Sequence, residues 1–229
     1  MLLHQEDLRT VLYCPKFYEF NGPKEESIHI KILNKLHSKI TVLFLKNQSI
    51  SVSEIYTSLL SILSREDTSD MLPSDRTNLL NKINIDISDS LKKFCIDNYM
   101  PILGPITFNK SINGTTYSFQ VNGIYKDLRN KTIHFAEFFD GNEHAALNDP
   151  ALKIKLDTIK DIVPPHYTGR VRAYLHVFYY QNNEIQRLIL SSEKNVVPDY
   201  SIVSTIINSK SYFPILPCHR KCAYKKQCN

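Results

Sequence analysis

Four cysteines of this chain are placed to share one metal centre. Cys218, Cys222 and Cys228 form a C-x3-C-x5-C run with basic and aromatic residues between them, and Cys14 stands apart in Tyr13-Cys14-Pro15-Lys16-Phe17-Tyr18. Three thiolates leave a tetrahedral site one ligand short, and Cys14 would supply the fourth and staple the two ends of the sequence together. Two centres suit such a set. Structural zinc usually takes its cysteines as close pairs, whereas a 4Fe-4S cluster accepts a group of cysteines plus a distant one. A disulfide framework is the poorer fit, because nothing in the sequence marks secretion.

A second stretch with chemical potential is Arg170 to Tyr180. It alternates, with Val171, Ala173, Leu175 and Val177 on one side and Arg170, Arg172, Tyr174, His176, Phe178 and Tyr180 on the other. Cations interleaved with aromatic rings hold single-stranded nucleic acid by phosphate contacts and base stacking. The competing reading is a strand covered on both sides, with its second face packed on a helix. Arg220, Lys221, Lys225 and Lys226 add a basic patch around the terminal cysteines.

The elements that must carry these groups follow from periodicity. A helix is expected over residues 5–13, leading into Cys14 and broken by Asn21-Gly22-Pro23. Ile28, Ile32, Leu33, Leu36, Ile40 and Leu43 repeat at helical spacing and define a long helix within 24–44 with one buried stripe. His37 lies on that stripe, where a core histidine bonded to a backbone carbonyl is one reading. Helices are expected at 53–63, 75–81 and 88–99, the last with Cys95 as an apolar filler. A hairpin follows at 106–111 and 115–123 around Asn113-Gly114, then a strand at 132–139. Asp149-Pro150 opens a helix to residue 162, with proline at its first position. A second hairpin is expected at 170–180 and 184–191, and a last helix near 200–208.

At 229 residues the chain suits one domain, 1–229, with a helical insertion at about 49–100 and a cysteine tail at 214–229. A 42% hydrophobic fraction is ample for a core. No signal-peptide pattern and no apolar run of about 20 residues is present, so a cytoplasmic location without membrane attachment is expected, in keeping with reduced cysteines. The net charge of +5 is compatible with a nucleic-acid partner but too small to demonstrate one.

Asp7-Leu8-Arg9 … Tyr13-Cys14-Pro15-Lys16-Phe17-Tyr18, followed by a terminal cysteine triplet, resembles the iron–sulfur branch of the RecB-like PD-(D/E)XK nucleases. That branch includes CRISPR-associated RecB-type exonucleases and the nuclease domain of AddB. The resemblance implies an α/β (α+β) fold with a restriction-endonuclease-like core sheet flanked by helices. It also implies an inserted helical lobe and termini joined by a 4Fe-4S cluster on Cys14, Cys218, Cys222 and Cys228. The family triplet is C-x2-C-x5-C, one residue shorter in its first gap. A histidine on the family's first long helix is a metal ligand, a role that would fall on His37.

The same resemblance implies an active site written G-x-x-D and (D/E)-x-K on adjacent strands, where acids hold a divalent metal that activates water and lysine polarises the nucleophile. Gly123-Ile-Tyr-Lys126 puts Lys126 at the metal-binding aspartate, and Glu137-Phe138-Phe139 keeps the acid but puts Phe139 at the lysine. Asp127 and Asp140 each lie one residue late, and alternate strand residues face opposite sides. The helix after the sheet lacks the family's Q-x-x-x-Y. The site therefore reads as degenerate, with Lys126 expected to pair with Glu137 and exclude a cation. The implied function is a non-catalytic nucleic-acid-binding or scaffolding subunit of a DNA-processing complex, with single-stranded DNA as the expected partner. The alternative is an exonuclease in which Asp127, Glu137 and Asp140 hold Mg or Mn.

Overall fold

The computed structural model describes residues 2–47, 50–66, 68–69, 71–95, 99–112, 114–130, 132–162, 172–182, 184–194 and 201–210. Within them the chain is mixed α and β, with helices and two mixed sheets. Cys218, Cys222, Cys228 and Arg170 lie outside the described residues.

The chain opens with β1 (Leu2–His4), α1 (Gln5–Tyr13) and α2 (Pro15–Asn21). The Asp7 carboxylate accepts the His4 N–H at 2.6 Å, and so satisfies an amide at the start of α1. Then comes α3 (Ile28–Asn47), which buries Ile32, Leu33, Leu36 and Ile40, the stripe its spacing predicts. Two further helices follow, α4 (Val52–Leu63) and α5 (Pro73–Cys95). Ser51 and Glu54 start α4 with a reciprocal capping box: the Glu54 N–H donates to Ser51 Oγ at 3.2 Å, and the Ser51 N–H donates to Glu54 Oε2 at 2.8 Å. The expected pair of helices at 75–81 and 88–99 is one helix, α5, with Ile83 and Ile87 buried. The six residues between the expected helices, Lys82 to Ile87, hold three isoleucines and no glycine or proline to break the helix.

The strands are β2 (Tyr99–Leu103), β3 (Ile106–Ile112), β4 (Thr115–Val121), β5 (Ile124–Asp127) and β6 (Thr132–Phe138). Two helices, α6 (Glu143–Asn148) and α7 (Pro150–Ile162), lead to β7 (Arg172–Gln181), β8 (Glu184–Ser191) and α8 (Ser201–Ser209). One sheet is ordered β1-β4-β3, and the other β2-β5-β6-β7-β8. In the larger sheet β2, β5 and β6 are antiparallel, α7 intervenes, β7 runs parallel to β6, and β8 returns antiparallel.

The larger sheet is covered on both faces. One face carries Tyr125, Ala136, Phe138 and Phe178 against α3, α4 and α5. The other carries Ile124, Ile133, Phe135, Leu175 and Val177 against Leu152 and Leu156 of α7. Gly123, where the chain passes from the small sheet into the large one, explains how α3 sits so close. A Cβ there would come within 2.5 Å of Thr41 Cγ2 on that helix.

β7 is consequently an inner strand, and the expected open face of cations and rings is corrected. Phe178 is 2% exposed and stacks on Phe138 at 5.3 Å between ring centroids. His176 is buried 2.9 Å from a ring nitrogen of His134, and Tyr174 stacks on His134 at 5.1 Å. Arg172 is exposed and paired with Glu193 at 2.6 Å. The alternation was apolar against aromatic, and helices cover both kinds.

Candidate functional site

Glu137, the one acid retained from the expected signature, points from β6 toward α7. Lys155 rises from α7 on the same side as Leu152 and Leu156, is 1% exposed, and donates to Glu137 Oε2 at 2.5 Å. Arg9, from the middle of α1, donates from Nη2 to Glu137 Oε1 at 3.1 Å. Both carboxylate oxygens are thus held by protein cations. Arg9 also donates from Nε to Asp149 Oδ2 at 2.7 Å and pairs through Nη1 with Glu26 Oε1 at 3.6 Å. One guanidinium therefore binds three carboxylates from three separate segments: the loop before α3, β6 and the start of α7.

Two local features fix this geometry. Asp149 caps α7, its Oδ1 accepting the Leu152 N–H at 2.8 Å, which leaves Oδ2 for Arg9. Phe139 lies beneath the guanidinium at 5.4 Å from ring centroid to Arg9 Cζ. Burial by itself would raise the Glu137 pKa, but the charges and hydrogen bonds of Lys155 and Arg9 overrule it and hold the carboxyl below its ordinary value. Burial opposes the charge on Arg9, yet Asp149 and Glu137 raise its pKa above the usual value. For Glu26, burial and the neighbouring Glu137 charge outweigh Arg9, so its carboxyl is pushed up to about 7.

Other expected site residues lie elsewhere. Lys126 pairs in register with Ile133, four positions before Glu137 on β6, or about 13 Å away at 3.3 Å per residue. The expected Lys126–Glu137 ion pair is therefore replaced by Lys155 and Arg9. Asp127 closes the turn after β5, its Oδ1 accepting the Arg129 N–H at 2.7 Å and its Oδ2 the Asn130 side-chain amide at 3.2 Å. It is a turn former at the far end of the strand from Glu137. Asp140 is exposed just past β6 and accepts the Ser27 N–H at 2.8 Å.

His37 sits on the opposite face of the sheet from Glu137. It is 1% exposed, stacked against Tyr125, with Nε2 2.9 Å from the Tyr125 hydroxyl. Burial lowers its pKa to about 4, so it is neutral at pH 7. A shared metal with Glu137 would have to pass through the sheet, so the ligand role expected for His37 beside that acid is corrected to a core histidine. Its Nε2 is partnered by the Tyr125 hydroxyl.

The sequence carried a signal for Lys155 that periodicity alone passed over. It falls on the stripe of α7 set by Ala151, Leu152 and Thr158, all buried, and a lysine on a buried stripe calls for a buried carboxylate. Arg9 had no comparable mark, because its carboxylate partners Glu26, Glu137 and Asp149 come from segments distant from it in sequence.

Cys14 is 8% exposed and caps α2, its Sγ accepting the Phe17 N–H at 3.4 Å. Among the described residues no group of three or more His, Cys, Asp and Glu is arranged to hold a metal ion, and no helix is long and apolar enough to cross a membrane. No family model and no curated protein matches the chain. A solved structure described as "Crystal structure of SSO0001" is similar at 15% identity, over 89% of this chain and 82% of that one, with a TM-score of 0.29.

Proposed function

We propose that the protein is a nuclease-like chain without nuclease activity, serving as a nucleic-acid-binding or scaffolding subunit in DNA processing. The observation that carries this reading is the occupation of Glu137 by Lys155 and Arg9. A divalent ion needs carboxylate oxygens with open lone pairs, and here an ammonium and a guanidinium take them inside a buried site. Displacing Lys155 by a metal would strand a buried ammonium, which is strongly unfavourable.

The order α3, antiparallel β2-β5-β6, crossover α7 and parallel β7 supports a PD-(D/E)XK-like core. Cys14 suits a sulfur ligand in its local geometry: its Sγ stands at the start of α2 and accepts the Phe17 amide hydrogen bond. With Cys218, Cys222 and Cys228 it would hold a 4Fe-4S cluster, or zinc, and the role of that group is structural closure of the chain ends. The alternative, a Mg- or Mn-dependent exonuclease on Asp127, Glu137 and Asp140, would need acids that stand on different parts of the sheet.

The test is a cleavage and binding assay on single-stranded DNA with Mg²⁺ or Mn²⁺ beside Glu137→Ala. The proposal expects binding without metal-dependent cleavage in either protein. Cleavage by the parent that disappears in Glu137→Ala would overturn it.

A further inference from the structure

The face of the larger sheet opposite Glu137 carries a second cluster of titratable side chains. His29 lies in the first turn of α3, Asp86 near the middle of α5 and Tyr180 near the end of β7. The Tyr180 hydroxyl donates to Asp86 Oδ2 and lies 2.9 Å from His29 Nε2, and that nitrogen is 3.2 Å from the same carboxylate oxygen. An imidazole nitrogen, a carboxylate oxygen and a phenol oxygen, from three separate elements, thus each stand within 3.2 Å of the other two.

That triangle has the size of one face of a coordination shell. Donors about 2.1 Å from a single ion stand roughly 3.0–3.4 Å apart, in octahedral or tetrahedral geometry. The cluster also differs from the Glu137 site in two ways. Among the described residues no lysine or arginine is paired with Asp86, so its carboxylate is not taken by a cation of the chain. The His29 and Asp86 side chains are 17% and 10% exposed, against 1% for Lys155 and 6% for Glu137, so an ion from solution can reach them. Lys82, one turn before Asp86, instead holds its ammonium 4.5 Å from the centroid of the Tyr180 ring. A cation there favours negative charge on the phenol.

We propose that His29 Nε2, Asp86 Oδ2 and Tyr180 Oη form a site for a hard trivalent metal ion, iron(III), with the tyrosine bound as phenolate. The inference is independent of the nuclease-like reading, because no residue of the Glu137 network takes part. Oxygen-rich donor sets select hard ions, tyrosinate is an iron ligand, and a triply charged ion is the kind best able to displace a phenol proton. Burial and the Asp86 hydrogen bond keep the metal-free phenol protonated. Binding therefore exchanges that proton for the ion and releases it to solvent, with no change of oxidation state. Three protein ligands leave further coordination positions open, and the bound ion ties α3 and α5 to the end of β7.

The experiment adds ferric nitrilotriacetate to the full chain and reads the visible difference spectrum and the thermal midpoint. A tyrosinate-to-iron charge-transfer band that saturates at one ion per chain is expected, with a raised midpoint, because the ion binds the folded state. Reading the change on addition cancels the absorption of any cluster on the cysteines. Tyr180→Phe keeps the ring and is expected to lose the band. Asp86→Asn keeps a hydrogen-bond acceptor and is expected to weaken iron binding by about tenfold or more. Asp157→Asn, an exposed acid on α7, is expected to match the parent. A parent without the band, or a band that survives in Tyr180→Phe, would overturn the site. Should Tyr180→Phe fail to fold, Asp86→Asn decides, and parental affinity in that variant would overturn it equally.

Discussion

Lys155 Nζ lies 2.5 Å from Glu137 Oε2, an ion pair between a crossover helix and the strand it covers, with both side chains at most 6% exposed. The pair and Arg9 together take up both oxygens of the Glu137 carboxylate. The protein thus supplies its own cations to a carboxylate that would otherwise attract one from solution.

Removing one partner should cost more than removing both. Lys155→Met leaves Glu137 buried with Arg9 alone, and a loss of about 3–5 kcal/mol is expected in urea unfolding. The double variant Lys155→Met with Glu137→Gln should recover much of that loss. A single variant as stable as the parent would show the pair to be solvated and not buried.

The network makes stability depend on pH with a definite sign. The Glu26 carboxyl is raised from 4.5 to about 7 on folding, so between those values the folded state binds the extra proton. Its contribution is fully present below pH 4.5, is lost as pH rises through 7, and amounts to about 3 kcal/mol. Glu137 is shifted the other way, so its contribution is present above its unfolded value and is lost on acidification through its folded one. Glu26→Gln should therefore abolish the decline from pH 5 to pH 7 and leave the acid limb unchanged. A decline of the same size in that variant would refute the assignment to Glu26.

Gly123→Ala tests why a glycine stands where α3 approaches the chain between the two sheets. Its Cβ would meet Thr41, a stiff β-branched side chain whose hydroxyl is already bonded to the His37 carbonyl at 2.9 Å. A destabilisation of about 1–3 kcal/mol is expected from this overpacking, partly relieved by Thr41→Ala. Alanine at 123 with parental stability would mean that α3 can lift from the sheet at no cost.

The cysteine set has a colour test. Anaerobically purified protein holding a 4Fe-4S cluster should be brown, and Cys14→Ser should lose the cluster and destabilise the whole fold, because the ligands join distant parts of the chain. Cys95→Ser should retain metal content. A colourless protein with stoichiometric zinc would move the centre to the zinc reading.

Much of the fold was legible because hydrophobic period and turn chemistry are local. The α3 stripe, the antiparallel pairing of β3 with β4 and the Asp149-Pro150 start of α7 all stand where their residues place them. β1, α2, β2, β5 and α6 were missed because three to seven residues carry too little periodicity. The Arg172–Tyr180 alternation misled for a different reason: aromatic residues suit an open stacking face and a buried sheet face equally, and only the packing of α3 decides. The Glu137 site was legible in its acid but not in its partners, because Arg9, Asp149 and Lys155 come together only through the tertiary fold.

The central claim is that Glu137 is closed to divalent metal by cations of the chain itself. Titration of the protein with Mn²⁺, following the free-ion EPR signal, measures this directly. The account predicts no stoichiometric Mn²⁺ binding that depends on Glu137, with the same free signal for the parent and Glu137→Ala. A site of one Mn²⁺ per chain that vanishes in Glu137→Ala would contradict it.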